Sequence, residues 1–511
     1  MASTAEFIRD FTKDIPRGFA PRDFSRPSAP QAAWQSPQTV MTLKRLAYDP
    51  ANPGAKILVG AMDSKLIGIE DNRHILTIAG SRAGKSVTLI ANLLFYGGSV
   101  FCVDPKGELA GRTASRRAAL GQDVAILDPF LICDEDLARY RRSYNPLSLL
   151  NPKNDTVIED AALIADGMVT VAKNDPHWDE SAKQFIEGLI LHVATCPGLD
   201  GKRDLLTVRA LLGSALEDPP DDEDGPQLYI VENAMLDNAA RLSDDPATED
   251  VGAAIERAAR SFYDKGEREQ SSVLSNAQRH TQYLDSKAMK RVLAGDSEID
   301  LRALKSNPNG MSVYLCLPAT RLGLFSSWLR ILLNQLLDAM EQEKAKPPAP
   351  VLVCLDEFPV LGHMKQLEDA AGQIASFDVK LWIILQDWNQ GKALYGDRFE
   401  SFAANAGIWQ FFGNVDATTT EYISRKLGKT LVRMARYNEV AAEQRRAGMT
   451  GHSEVDELHD LMTPEEISRY FSREDHYKRQ LVIWAGYDPM ILQRVEYFDS
   501  QGPLAAFIEN S

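Results

Sequence analysis

Residues 76–90 read LTIAGSRAGKSVTLI, which sets Gly84, Lys85 and Ser86 in succession shortly after an apolar run. Backbone N–H groups converging at a helix N-terminus hold anions. A lysine there can reach the outer phosphates of a nucleotide, and a hydroxyl can ligate Mg2+. The phosphate-loop pattern G-x-x-x-x-G-K-[ST] wants glycine where this chain has Ala79, a position at which the chain only begins to turn. Gly80 and Gly84 supply the freedom the turn needs. The predicted cradle is Gly80, Ser81, Arg82, Ala83, Gly84, Lys85 and Ser86.

A second constellation lies far along the chain. VLVCLDEF (351–358) is an apolar run ending in two adjacent carboxylates, Asp356 and Glu357. Such a pair can cap a helix, but with a phosphate loop upstream it fits catalysis better. Asp356 would hold Mg2+, directly or through water, and Glu357 would act as the base that orients an attacking water. LWIILQD (381–387) ends its apolar run at Gln386, which could bridge water, γ-phosphate and moving parts. Lys85, Asp356, Glu357 and Gln386 are thus the candidate catalytic residues, with Ser86 and Asp356 as Mg2+ ligands. The chemistry they suit is hydrolysis of a nucleotide.

These residues need strands and helices to carry them. LTIA (76–79), SVFCV (99–103), VAIL (124–127), VYLCL (313–317), VLVCL (351–355), LWIIL (381–385), IWQFF (408–412) and LVIWA (481–485) are continuous apolar runs. Continuous rather than alternating runs suit strands covered on both faces in a parallel sheet. Helical patterns lie between them. In FSSWLRILLNQLLDAM, Phe325, Trp328, Leu329, Leu332, Leu336 and Met340 form one stripe. Alternation of this kind predicts a doubly wound α/β domain.

The interval 156–304 differs, with helical runs and almost no strand-like ones. Ala182, Phe185, Ile186, Leu189, Ile190 and Val193 make an apolar face, with Asp179 and Glu180 near its start and Pro197-Gly198 after its end. We expect an all-helical domain inserted into the α/β domain. The expected organisation is a tail over 1–50, α/β segments over 51–155 and 305–500 around the insertion at 156–304, and a short tail over 501–511. Residues 1–50 are rich in Pro, Ala, Ser and Arg, and read as an extended or partly disordered tail or a docking arm. EDPPDDEDGP (217–226) reads as an acidic surface loop, or a patch for a basic partner.

At 511 residues, 44% apolar and 25% charged, the chain has the composition of a globular protein with room for two or three domains. No apolar run approaches the ~20 residues of a spanning helix. The five cysteines lack metal or disulfide spacing, and three sit in strand-like runs as small core residues. A net charge of −16 argues against coating nucleic acid with the whole surface, but not against a local basic channel.

Several further stretches accompany the phosphate loop: VDPKGEL (103–109), SYNPLSLL (143–150), HWDESAKQFIEGLILHV (177–193) and LPATRLGLFSSWLRILLNQLL (317–337). LDEFPVLGHMKQLEDA (355–370), LQDWNQGKALYGD (385–397), TEYISRKLG (420–428) and LMTPEEISRY (461–470) follow. In this order they resemble the type IV secretion coupling proteins, the TraG-like ATPases of conjugative DNA transfer, over roughly residues 55–500. The likeness to FtsK and HerA DNA pumps is more distant. The resemblance implies a RecA-like P-loop motor domain with a mainly parallel sheet, interrupted by an all-α domain. It also implies ATP and Mg2+ as cofactors and a homo-hexameric ring. Such a ring recruits DNA, or a relaxase–DNA complex or effector protein, and moves it towards a secretion channel. Lys85, Ser86, Asp356, Glu357 and Gln386 match the family's nucleotide site. Asp104 and Lys106 match its second-strand motif, which implies a supporting role near the phosphates.

The sequence departs from that family in two respects. Relatives commonly begin with transmembrane helices, and none is evident here. Either an anchor has been removed, or this is a cytoplasmic protein held peripherally at the inner membrane by channel components or a separate anchor protein. In the second case Ala2 to Val40, or the 156–304 insertion, would be the docking surface. Ile408, Trp409 and Gln410 also stand where relatives place a threonine and a basic residue, which leaves Arg321 and Arg425 as candidates for a trans-acting arginine. Two other functions compete: a soluble FtsK-like DNA pump outside secretion, and an effector receptor in which ATP controls ring assembly only.

Overall fold

The computed structural model describes residues 3–19, 31–172, 176–218, 228–370, 372–437 and 452–508. Most of the acidic loop 217–226 lies outside them, as does the Pro/Arg-rich stretch 20–30. In chain order the strands are β1 (Ile57–Met62), β2 (Lys65–Ile69), β3 (His74–Ala79), β4 (Val100–Asp104), β5 (Asp123–Leu127), β6 (Met311–Cys316) and β7 (Val351–Leu355). They continue as β8 (Val379–Leu385), β9 (Ala406–Phe412), β10 (Lys429–Tyr437), β11 (His452–Asp460), β12 (Arg479–Trp484) and β13 (Met490–Gln493). The chain folds as two compact units, residues 1–97 with 380–511, and residues 98–379.

In the first unit the strand order is β2-β1-β13-β12-β9-β3-β8. β3 runs parallel to both β8 and β9, and every residue of these three strands is buried. Burial on both faces is why their sequences are uninterrupted apolar runs. β12 has the same kind of sequence but lies antiparallel to β9 and β13. A strand covered on both sides looks alike in either direction, so the expectation of a parallel strand fails there. β1 and β2 form a hairpin turned at Asp63, whose φ is 56°. β10 and β11 pair separately as a two-stranded ribbon.

The first 50 residues contain ordered helices where an extended tail is expected. Helix Thr4–Thr12 begins with a reciprocal capping box between Ser3 and Glu6. It buries Phe11 completely, 5.8 Å from the Tyr477 ring, and the Phe11 carbonyl accepts from Arg479 Nη1 at 3.2 Å. Burying such a ring contributes about 1.5–3 kcal/mol, enough to order a short helix that would be marginal alone. A second helix, Pro37–Thr42, is capped by the Ser36 side chain. Trp34 is buried beside it and donates to the Arg17 carbonyl.

In the second unit the order is β7-β4-β6-β5, all parallel and almost wholly buried. Helix Ser326–Gln342 follows β6 and buries the whole predicted stripe, Trp328, Leu329, Leu332, Leu336 and Met340, with Phe325 just before it. Between β5 and β6 the described residues form helices and no strands. Phe185 of helix His177–Thr195 stacks on Phe262 of helix Glu249–Tyr263, with ring centroids 3.9 Å apart. Gly188 lets these two helices close together, because a Cβ there would meet Ala258 Cβ at 2.3 Å. The α/β class and the parallel sheet are as the sequence predicts. No helix among the described residues is long and apolar enough to cross a membrane.

Candidate nucleotide site

β3 delivers the chain to the loop Gly80–Ser86 from inside the sheet. Its register sets Ala79 against Phe412 of β9, and Ala79, Ala83 and Phe412 bury one another in a small apolar cluster. Ala79 keeps strand geometry, with no positive φ. That accounts for the alanine in a glycine position: the strand has not yet turned, and the methyl group fills space.

The turn follows at once. The Gly80 N–H donates to the Phe412 carbonyl at 3.1 Å, and the Ala83 N–H donates to the Gly80 carbonyl at 3.2 Å. Arg82 and Gly84 both take positive φ, 57° and 102°. For Arg82 this is a strained conformation costing about 1–2 kcal/mol, a kind of strain that clusters at functional sites. Gly84 is the cap of helix Lys85–Leu93. The first N–H groups of a helix have no partner within it, so the loop and the helix start together are an arrangement that could hold an anion.

Lys85 Nζ donates to the carbonyls of Ala79 and Gly80, at 3.0 and 3.3 Å. Its ammonium therefore lies over the loop. Ser86 sits half-buried in the first helical turn. Gln386 belongs to the same unit: β3 and β8 are in register at Ile78 and Leu385, so Gln386 leaves β8 at the level where Ala79 ends β3. Its N–H donates to Gln390 Oε1 at 2.8 Å, which ties it to the start of helix Trp388–Tyr395.

The second unit carries Asp104, Lys106, Asp356 and Glu357. β4 and β7 are in register at Val103 and Leu355, so Asp104 and Asp356 stand side by side at the carboxyl ends of neighbouring strands. Asp356 and Glu357 are half-buried. Glu357 begins the short helical turn Phe358–Leu361. Asp104 is buried, and its Oδ2 accepts from the Ala110 N–H at 2.8 Å. Burial pushes its pKa up to about 6, against the opposing pull of the Ala110, Leu109, Lys106 and Glu108 N–H groups. Its carboxylate thus holds the turn that starts helix Glu108–Ala119, whereas the Lys106 side chain is exposed.

The arginines proposed to act in trans are both exposed. Arg321 packs its guanidinium 5.1 Å from the Phe130 ring, and Arg425 sits in the last turn of helix Ala417–Leu427. Ile408, Trp409 and Gln410 are buried in β9. Gln410 Oε1 accepts from Thr77 Oγ1 at 3.0 Å, and Lys426 Nζ lies 3.7 Å from the Trp409 ring centre. A packed polar and aromatic cluster thus fills this position. Arg494 is a residue that motif reading misses: its Nη1 donates to the Ala83 carbonyl at 2.8 Å, from 411 positions away in sequence. The stretch MILQRVEYF around it carries no pattern that could have revealed the contact.

Residues 35–510 match the protein family described as Type IV secretory system Conjugative DNA transfer. The conjugal transfer protein TraG of Escherichia coli is 26% identical over 427 residues, covering 78% of this chain and 62% of TraG. VirD4 of Rhizobium radiobacter is 24% identical over 439 residues, covering 84% of this chain and 57% of VirD4. The chain therefore spans about three-fifths of the length of the curated relatives it matches. Among solved structures, the bacterial conjugative coupling protein TrwBdeltaN70, unbound, superposes with a TM-score of 0.61 at 16% identity. That match covers 91% of this chain and 94% of the other. TrwB in complex with ADP and Mg2+ gives a TM-score of 0.56 at 16% identity, over 85% and 88% of the two chains.

Proposed function

Because the chain belongs to the type IV secretory system conjugative DNA transfer family, we propose that it is a coupling protein that hydrolyses ATP to recruit DNA, or a relaxase–DNA or effector substrate, and move it towards a secretion channel. The observation that carries this reading is the loop Gly80–Ser86, with Lys85 Nζ 3.0 Å from the Ala79 carbonyl at the end of a buried parallel strand. In this position the Lys85 ammonium can transfer from the loop carbonyls to the β- and γ-phosphates, which are stronger acceptors. Catalysis of phosphoryl transfer rests on such positioning and charge stabilisation. Glu357 orients the attacking water and takes its proton, and Gln386 senses the γ-phosphate. The Ser86 hydroxyl and the Asp356 carboxylate are hard oxygen donors of the kind Mg2+ takes, and the ion would neutralise phosphate charge. Asp104 supports the neighbouring turn, and Lys106 adds positive charge from its exposed side chain.

Six copies form a ring with nucleotide sites at the subunit borders, so specific activity rises with protein concentration. DNA passes through basic and polar groups lining the channel, although the chain as a whole carries a charge of −16. The protein works on the cytoplasmic side of the inner membrane, where partner proteins hold it. ATPase assays with single- and double-stranded DNA, alongside mass measurement of the assembly, test this reading. DNA should stimulate hydrolysis and favour the hexamer, and DNA binding should weaken steeply with salt as counterions are released. Hydrolysis that is indifferent to DNA would favour a receptor in which ATP controls assembly alone.

A further inference from the structure

Arg494 stands just after β13 and gathers three carbonyl groups. Besides the 2.8 Å bond from Nη1 to Ala83, its Nη2 donates to Arg473 and its Nε to Lys478, each at 3.3 Å. Its own N–H donates to the Lys478 carbonyl at 2.8 Å. The guanidinium lies 5.5 Å from the ring centre of Phe412, the residue whose carbonyl receives the Gly80 N–H. The phosphate loop is therefore fastened at two points, Gly80 to β9 and Ala83 to Arg494.

The second fastening has a directional consequence. The Ala83 carbonyl and the Gly84 N–H belong to one peptide unit, and no peptide bond among the described residues is cis. In a planar trans unit the C=O and the N–H point in opposite directions. Holding the Ala83 oxygen against Arg494 therefore aims the Gly84 N–H the other way, into the cradle at the start of helix Lys85–Leu93. Gly84 can turn freely because it lacks a side chain, so without an external hold this donor would be poorly fixed. A guanidinium fork suits the task, since it offers several donors in one rigid plane.

We propose that Arg494 is a positioning residue of the nucleotide site, locking the Ala83–Gly84 peptide so that its N–H faces the phosphates. This rests on reading Gly80–Ser86 as a nucleotide site. The same guanidinium also donates to the turn at 473–478, which serves as its anchor outside the site. Arg494 acts through the loop backbone, so its loss should weaken nucleotide binding more than it slows bound nucleotide.

The test compares MgADP and MgATP binding by calorimetry in the full chain as wild type, Arg494→Lys, Arg494→Met and Glu496→Gln, with thermal unfolding recorded for each. Glu496 pairs with Lys478 Nζ at 2.6 Å in the same turn, so Glu496→Gln loosens that turn without removing the bond to the loop. Arg494→Met should weaken binding about tenfold, a loss equal to one charge-assisted hydrogen bond. Arg494→Lys, with the charge but not the fork, should fall between, and Glu496→Gln should bind as wild type. KM for ATP should rise in the Arg494 variants with kcat little changed. If Arg494→Met does not fold, Arg494→Lys at native thermal stability carries the comparison. Wild-type affinity in the Arg494 variants, or equal weakening in Glu496→Gln, overturns the proposal. A wild-type chain that binds neither nucleotide overturns the functional reading beneath it.

Discussion

Gly80 and Gly413 meet backbone to backbone: a Cβ built on Gly80 would lie 2.0 Å from the Gly413 carbonyl oxygen. A Cβ on Gly413 would in turn come within 2.6 Å of Ala83 Cβ. The loop Gly80–Ser86 is thus pressed against the end of β9 with no space for a side chain at Gly80. Gly80 has no positive φ, so its constraint is space, whereas a Cβ on Gly84 would meet only Val87 Cβ, at 4.0 Å, and its φ of 102° makes conformation the constraint.

Two substitutions separate these causes. Gly80→Ala must push β9 away from the loop, and overpacking of this kind costs about 1–3 kcal/mol. Gly84→Ala meets nothing closer than 4.0 Å, yet forces a side chain into left-handed backbone at about 1–2 kcal/mol. Both should lose nucleotide binding. Only Gly80→Ala should also alter hydrogen exchange in a peptide covering 406–414. Unchanged exchange there in Gly80→Ala would show that the contact is not tight.

Glu357→Gln keeps the shape of the side chain and removes the carboxylate proposed as the base. ATP should remain bound while turnover slows by about a hundredfold or more, in line with the usual contribution of a positioned acid–base group. Rapid-filtration measurement of bound nucleotide should recover ATP rather than ADP from the variant. Hydrolysis at the wild-type rate would assign the base elsewhere.

His192 sets an acid limit on stability. It is buried in helix His177–Thr195, where Nδ1 has no hydrogen-bond partner among the described residues, and burial lowers its pKa to about 4 from the usual 6.5. Between those values the unfolded chain takes up a proton that the folded chain refuses, so folding stability falls as pH drops from 6.5 towards 4. Above pH 6.5 both states are neutral and the contribution is constant. The full loss is roughly 3 kcal/mol. His192→Leu should show a shallower fall in urea midpoint between pH 7 and 5, and parallel slopes for the two proteins would contradict this assignment.

The sequence disclosed those parts of the fold that obey a local rule. The strands that flank the site are continuous apolar runs because they are buried on both faces, and the stripe from Trp328 to Met340 is helical because one face of it is buried. The antiparallel setting of β12 escaped, since neighbours rather than its own residues fix strand direction. Helix Thr4–Thr12 escaped because its order depends on Phe11 meeting Tyr477 and Arg479, partners more than 460 positions away. At the candidate site, the turn from Gly80 to Ser86 was legible because its two glycines and the apolar run before it mark a strand passing into a helix. The structure gives Asp104 a task the sequence did not suggest, holding its own turn. Arg494 was invisible for the reason that applies to Phe11: a side chain reaching a distant carbonyl leaves no periodicity and no motif.

In the proposed function, Lys85 and the loop it covers carry the chemistry. The most direct measurement is ATP binding and hydrolysis by the full wild-type chain beside Lys85→Ala, at equal concentration and with DNA present. Wild type should bind one nucleotide per chain and turn it over. Lys85→Ala should bind at least about tenfold more weakly and release no phosphate above background, because the charge that stabilises the transferred group is gone. Equal hydrolysis by the two proteins, or no nucleotide binding by wild type, would contradict the account.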